Sequence, residues 1–121
     1  MIRRRQVTIS PTGADGAAAG EQQINIGRAG RLIGIAVDYQ NQPATTDITV
    51  KADSSAGATL FAKANSNTDI PLSAINVAGL DGVGGAGVAG PQLFLTGLHV
   101  AVAQGDAGAT KKVVVDLLVD V

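Results

Sequence analysis

Val113-Val114-Val115-Asp116-Leu117-Leu118-Val119-Asp120-Val121 is the stretch that decides the fold. Every second residue in it, Val113, Val115, Leu117, Val119 and Val121, is a large aliphatic. In a strand, residues two apart share one face, so this run presents a fully apolar side. The intervening positions, Val114, Asp116, Leu118 and Asp120, give a second face that mixes apolar and acidic groups. A strand apolar on one side and mixed on the other is expected beside a subunit boundary.

The same period of two recurs along the chain. It is clearest in Ile33, Ile35, Val37 and Tyr39, then in Ile48, Val50 and Ala52, and in Leu98, Val100 and Val102. Shorter pieces are Val7 with Ile9, Ile24 with Ile26, Leu60 with Ala62, and Ile70 with Leu72. Seven or eight short alternating runs, separated by Gly, Asn, Asp and Pro, predict an all-β antiparallel β-sandwich of jelly-roll or Greek-key type. One domain spans residues 1–121, with residues 1–6 expected as a flexible N-terminal arm. Tyr39–Thr46, carrying Pro43, and Val102–Thr110, carrying two glycines, are expected to turn two hairpins. Helix signals are poor: the chain has one glutamate, and Ala17-Ala18-Ala19 lies between Gly16 and Gly20, so it is expected to be loop. Ala78 to Gly90 reads as a long glycine-rich loop between strands.

Composition narrows the function. The chain holds 31 large aliphatics but only two Phe, one Tyr and no Trp, while Gly and Ala together supply 36 residues of little bulk. A core this thin, without the aromatic anchors that dominate most cores, points to support from neighbouring subunits. Without cysteine there is no disulfide scaffold and no thiolate nucleophile. Nine Lys and Arg against ten Asp and Glu leave a net charge of −1, too little to hold nucleic acid or an anionic membrane. No apolar stretch approaches the roughly 20 residues that span a bilayer. Arg3, Arg4 and Arg5 lead into Gln6-Val7-Thr8, not into the apolar segment of a secretory signal.

The motifs that suggest chemistry all break. Gly82/Gly84/Gly87 and Gly85/Gly87/Gly90 match the dinucleotide pattern G-x-G-x-x-G, but Pro91 and a strand-like Gln92-Leu93-Phe94-Leu95 follow where a helix is needed. Asn65-Ser66-Asn67-Thr68-Asp69 begins like a calcium loop, yet Ile70 takes the place of the turning glycine and no glutamate closes it. It reads as an Asx-rich turn. His99, the single histidine, points away from Leu98 and Val100 and is expected at the solvated surface or against another chain. Asp116 and Asp120, four positions apart on one strand, lie roughly 13 Å apart, beyond the reach of a carboxylate pair. No nucleophile, base and oxyanion donor assemble, so no enzyme, cofactor or metal is expected. Arg3, Arg4 and Arg5 read either as a solvated terminus or as an arm docking on an acidic protein surface.

Gly30-Arg31-Leu32-Ile33-Gly34-Ile35-Ala36-Val37-Asp38-Tyr39, followed by Gln42-Pro43-Ala44-Thr45-Thr46-Asp47-Ile48-Thr49-Val50, resembles small bacteriophage structural proteins of the capsid-decoration (cement) type. Leu98-His99-Val100-Ala101-Val102-Ala103-Gln104-Gly105-Asp106-Ala107-Gly108, before the closing valine-rich strand, is similar to the same proteins. The resemblance runs over residues 24–121. It implies a β-sandwich that sits on the outer surface of the virion capsid, as a homo-oligomer, with a trimer favoured, and bridges subunits of the major capsid protein. The contact residues to be expected are then Arg3, Arg4 and Arg5, together with Gly82, Val83, Gly84, Gly85, Gly87 and Val88 of the glycine-rich loop. A carbohydrate-binding or adhesion sandwich of a fibre or cell surface is the alternative; it requires exposed aromatics, and Tyr39, Phe61 and Phe94 all hold core-like positions.

Overall fold

A computed structural model describes residues 1–74 and 93–121. Among these residues there are nine strands and no helix: β1 (Ile2–Ile9), β2 (Ala18–Asn25), β3 (Gly30–Asp38), β4 (Asp47–Ala52), β5 (Thr59–Lys63), β6 (Ile70–Ala74), β7 (Leu93–Phe94), β8 (Gly97–Gly105) and β9 (Val113–Asp120). They form two antiparallel sheets. One has the order β1-β9-β3-β6, with the two-residue β7 also paired to β3; the other has the order β2-β8-β4-β5. Apart from β7, this is the interleaved order of a jelly roll, in which successive strands mostly alternate between the sheets. The strand count exceeds the expected seven or eight through β7. The expected glycine-rich loop, with Gly82, Val83, Gly84, Gly85, Gly87 and Val88, lies outside the described residues.

The core forms where the alternation is cleanest. Val113, Val115, Leu117 and Val119 are fully buried from the five-stranded sheet, and Ile48, Val50, Leu98, Val100 and Val102 face them from the other. Each such side chain contributes roughly 1.5–3 kcal/mol on burial. Tyr39, Phe61 and Phe94 add the three aromatic rings to this core.

Four strands change phase at β-bulges, β8 among them, where Ala18 pairs with Gly105 but Gly20 with Val102. Leu32 pairs with Val119 and Gly34 with Leu118, so Ile33 is an extra residue in β3. The slip turns Leu32, not Ile33, into the core beside Ile35 and Val37. Val50 pairs with Phe61 and Lys51 with Thr59, which makes Leu60 the extra residue of β5 and lets Leu60 and Phe61 both be buried. Ile35 pairs with Ser73 but Val37 with Ile70, so β6 also carries one residue too many. Ile70 packs on the core while Leu72 stays exposed, although a period of two places them on one face.

Both expected hairpins are instead arches between sheets. Tyr39–Thr46 carries the chain from β3 in one sheet to β4 in the other, and the residues after Gly105 carry it from β8 to β9. Among the described residues the hairpin within a sheet joins β4 to β5. Ala18 and Ala19, expected in a loop, open β2, because pairing with β8 outweighs their low strand preference. From Ile2 on, the stretch expected as an arm lies in β1, paired with β9 along its length.

The arches are tied to each other by Gln42, which is 2% exposed. Its amide nitrogen donates to the carbonyls of Asp106 (3.0 Å) and Lys111, and its Oε1 accepts the Asp106 N–H at 2.8 Å. Its own carbonyl accepts from Asn67 Nδ2 at 2.9 Å. Asn41 Nδ2 to the Thr110 carbonyl and Thr45 Oγ1 to the Gln104 carbonyl add further ties. The Asx-rich stretch Asn65–Asp69 belongs to this clasp: Asp69 accepts the Tyr39 N–H at 2.8 Å, and the Asn65 N–H donates to Asp47 at 2.9 Å. Two of its acceptors, Asp69 Oδ1 and Ser66 Oγ, take backbone N–H groups, as the Asx-turn reading anticipates. Beneath it Tyr39 is wholly buried, and loss of solvent pushes its phenol above the ordinary value.

At the opposite end the fastener is Asp53, held at a positive φ of 66° at the start of the β4–β5 turn. Its Oδ1 accepts the N–H groups of Leu95, Thr96 and Gly97 at 2.8, 2.7 and 3.2 Å. The Asp53 N–H in turn donates to the Gly97 carbonyl. These donors, the Thr96 N–H first, favour the charged form and hold the Asp53 carboxyl below the usual carboxylate range.

Candidate docking face

The outer face of the five-stranded sheet is where the mixed side of β9 emerges. With Val115, Leu117 and Val119 turned inward, Val114, Asp116, Leu118 and Asp120 point outward and are half-buried. Cross-strand partners share a face, so the register sets rows across the sheet. One row is Ile2 on β1, Asp120 on β9, Arg31 on β3 and Leu93 on β7. The next is Arg4, Leu118 and Gly34; beyond it come Gln6, Asp116 and Ala36. Arg4, Ala36, Leu72, Asp116 and Leu118 line a shallow groove of about 190 Å³. Glycine at position 34 keeps that floor low, since a Cβ there would lie 3.2 Å from the Leu118 side chain.

The charges on this face are paired within the chain. Asp116 accepts from Arg4 Nε at 2.9 Å and from Gln6 Nε2 at 3.0 Å. Asp120 takes the terminal amine at 3.0 Å and Arg31 at 3.3 Å. The terminal amine, then Arg31, holds the Asp120 carboxyl below its ordinary range. Large apolar groups are left open: Ile2 is 64% exposed, Leu72 61% and Leu93 58%.

The outer face of the four-stranded sheet is built differently. His99 sits at its centre, between Gln23 on β2 and Lys51 on β4. It is 7% exposed, which corrects the expectation of a solvated surface histidine: a central strand with long polar neighbours on both sides covers its ring. Gln23 donates through Nε2 to the Asp53 carbonyl, which leaves Oε1 facing His99 Nδ1 at 3.1 Å. His99 Nε2 lies 3.3 Å from Glu21 Oε2. Small residues, Ala19, Gly20, Ala101 and Ala103, floor a wide depression beside it.

Of the residues singled out from sequence, Arg4 lies on the outer face of the five-stranded sheet, bound to Asp116. Arg3 and Arg5 alternate with it and belong to the opposite face of β1, at the sheet's open edge, where both are exposed. Asp116 and Asp120 are each the centre of a separate ion-pair group. Among the described residues no group of three or more His, Cys, Asp or Glu could hold a metal ion. Sequence reasoning missed Leu72, Leu93 and Ala36, which reach this face only through β3, β6 and β7. The signal available was the mixed second face of the last strand.

No family model and no curated protein matches the chain. Among solved structures it is similar to CsCBM6-3 from Clostridium stercorarium in complex with cellobiose, at 12% identity and a TM-score of 0.35, over 96% of this chain and 90% of that one. It is also similar to a chain of the structure of infectious bursal disease virus, Gt strain, at 14% identity and a TM-score of 0.30, over 97% of this chain and 32% of the viral one. Both are weak likenesses among β-sandwiches, and they identify no family.

Proposed function

We propose that this protein is a non-catalytic docking module, a decoration protein on the outside of a bacteriophage capsid, where as a homo-oligomer, a trimer by preference, it bridges major capsid protein subunits. The observation that carries this reading is the outer face of the five-stranded sheet. Ile2, Leu72 and Leu93 surround the Leu118 groove with open apolar surface, while Asp116 and Asp120 are already matched by Arg4, Gln6, Arg31 and the terminal amine. Covering this face therefore removes aliphatic surface from water without stranding a lone carboxylate. Each large aliphatic so covered contributes on the order of 1 kcal/mol or more. Binding to a neighbour also stabilises the folded form by mass action, which suits a core of small aliphatics.

The sugar-binding alternative lacks its platform, because Tyr39, Phe61 and Phe94 are the chain's only aromatics and all three are buried. The test is co-expression with the major capsid protein encoded in the same genome, followed by sedimentation and electron microscopy of the shells. The full chain is expected to travel with the shells, and Leu72→Glu with Leu93→Glu to cut its occupancy by about tenfold or more. A chain that stays off the shells, or that binds a specific glycan on an array, overturns the proposal.

A further inference from the structure

We infer that the free edge of β1 accepts an extended acidic strand from another protein, adding it to the five-stranded sheet. This goes beyond the docking face: it uses backbone atoms at the sheet edge, and it stands or falls without a capsid.

β1 is outermost in its sheet and pairs only with β9 among the described residues. Met1 and Val121 exchange both backbone bonds, Met1 N to the Val121 carbonyl at 2.8 Å and Val121 N to the Met1 carbonyl at 3.0 Å. Exchanging pairs alternate with non-exchanging ones along an antiparallel ladder. The register therefore turns the backbone of Arg3, Arg5, Val7 and Ile9 toward β9. It turns the N–H and C=O groups of Ile2, Arg4, Gln6 and Thr8 outward, toward the free edge. That row of alternating donors and acceptors is the template on which strand addition works.

Side chains set the partner's chemistry. Arg4 is engaged with Asp116, but Arg3 and Arg5 are exposed and make no ion pair or hydrogen bond among the described residues. They share one face with Val7, which packs against the core. A strand laid antiparallel to β1 places three of its residues, two apart, opposite Val7, Arg5 and Arg3. The matching pattern is apolar-x-acid-x-acid. Charge complementarity selects this occupant over a second copy of β1, which would bring three further arginines to the same edge.

The test titrates the isotope-labelled full chain with the peptide acetyl-Thr-Val-Thr-Glu-Thr-Glu-Thr-amide, and with the same peptide N-methylated at alternate backbone nitrogens. Expected are amide shift changes centred on Ile2, Arg4, Gln6 and Thr8. Affinity should fall about tenfold or more on N-methylation, on replacing the peptide glutamates by lysines, and in an Arg3→Glu, Arg5→Glu variant. Gln6→Pro removes one outward N–H without touching the β9 ladder and is expected to weaken binding in the same way. No binding at millimolar peptide overturns the inference. So does equal binding of the N-methylated peptide, which would reveal charge attraction alone, and this readout needs no altered protein.

Discussion

The two ends of the sandwich are fastened by different chemistry. At one end a neutral, buried amide, Gln42, holds the β3–β4 and β8–β9 arches together through both of its polar atoms. At the other a carboxylate, Asp53, gathers three successive backbone N–H groups at Leu95, Thr96 and Gly97. An amide can donate and accept at once, so it suits a place where carbonyls and an N–H converge. A carboxylate only accepts, so it suits a turn that presents donors alone. The difference teaches that the Gln42 link depends on burial and the Asp53 link on charge, and each link fails under different conditions.

The largest effect is expected from Gln42→Ala. It leaves the Asp106 N–H and the carbonyls of Asp106 and Lys111 without their partner in a closed space, at a cost of about 3 kcal/mol. Denaturant unfolding measures it, and a loss under about 1 kcal/mol would show that the clasp is ornamental. Next comes Gly97→Ala at the Asp53 end. A Cβ there would stand 2.1 Å from the Ile24 carbonyl, so the backbone must shift, at about 2 kcal/mol.

Acid should separate the Asp53 link from the Gln42 link. The folded Asp53 carboxyl is held below its unfolded range, so its contribution is complete above that range and is lost as pH falls through the folded value. Asp106, lowered chiefly by Lys111, and Asp120, lowered chiefly by the terminal amine, follow the same sign. Amide-exchange protection at Leu95, Thr96 and Gly97 is therefore expected to fall on acidification ahead of that at the Asp106 N–H, which bonds the neutral Gln42. Equal losses at both links would erase the distinction. The smallest effect belongs to Arg4→Ala, an exposed pair whose removal should leave the unfolding midpoint nearly unchanged while altering the docking face.

Much of the core is legible in the residue pattern alone. Val113 to Val119, Ile48 to Ala52 and Leu98 to Val102 each keep one unbroken apolar phase, and each buries the face that phase assigns. The bulges are not legible, because Leu32-Ile33 and Leu60-Phe61 place apolar residues in both phases and the pattern cannot choose between them. The arches read as hairpins since the same Pro, Gly and Asn residues serve either connection. Gln42 hides in a polar stretch, and its burial follows from Asp106 and Lys111, more than sixty residues away. The proposed docking face is half visible: the Val114, Asp116, Leu118 and Asp120 side of β9 announces a mixed surface, but Leu72 and Leu93 join it only through pairing.

By itself the sequence determined that this chain makes strands, which of them are most apolar, and that its aliphatics outnumber its aromatics roughly tenfold. Those properties are local, written in a repeat of two and in residue type. Only the tertiary structure decided which strands are neighbours, where the register slips, and which charges meet on a common face. Such choices depend on backbone hydrogen bonds between distant segments, and every strand offers the same donors and acceptors whatever its side chains. The partner is therefore selected by how the two sheets close over one shared core.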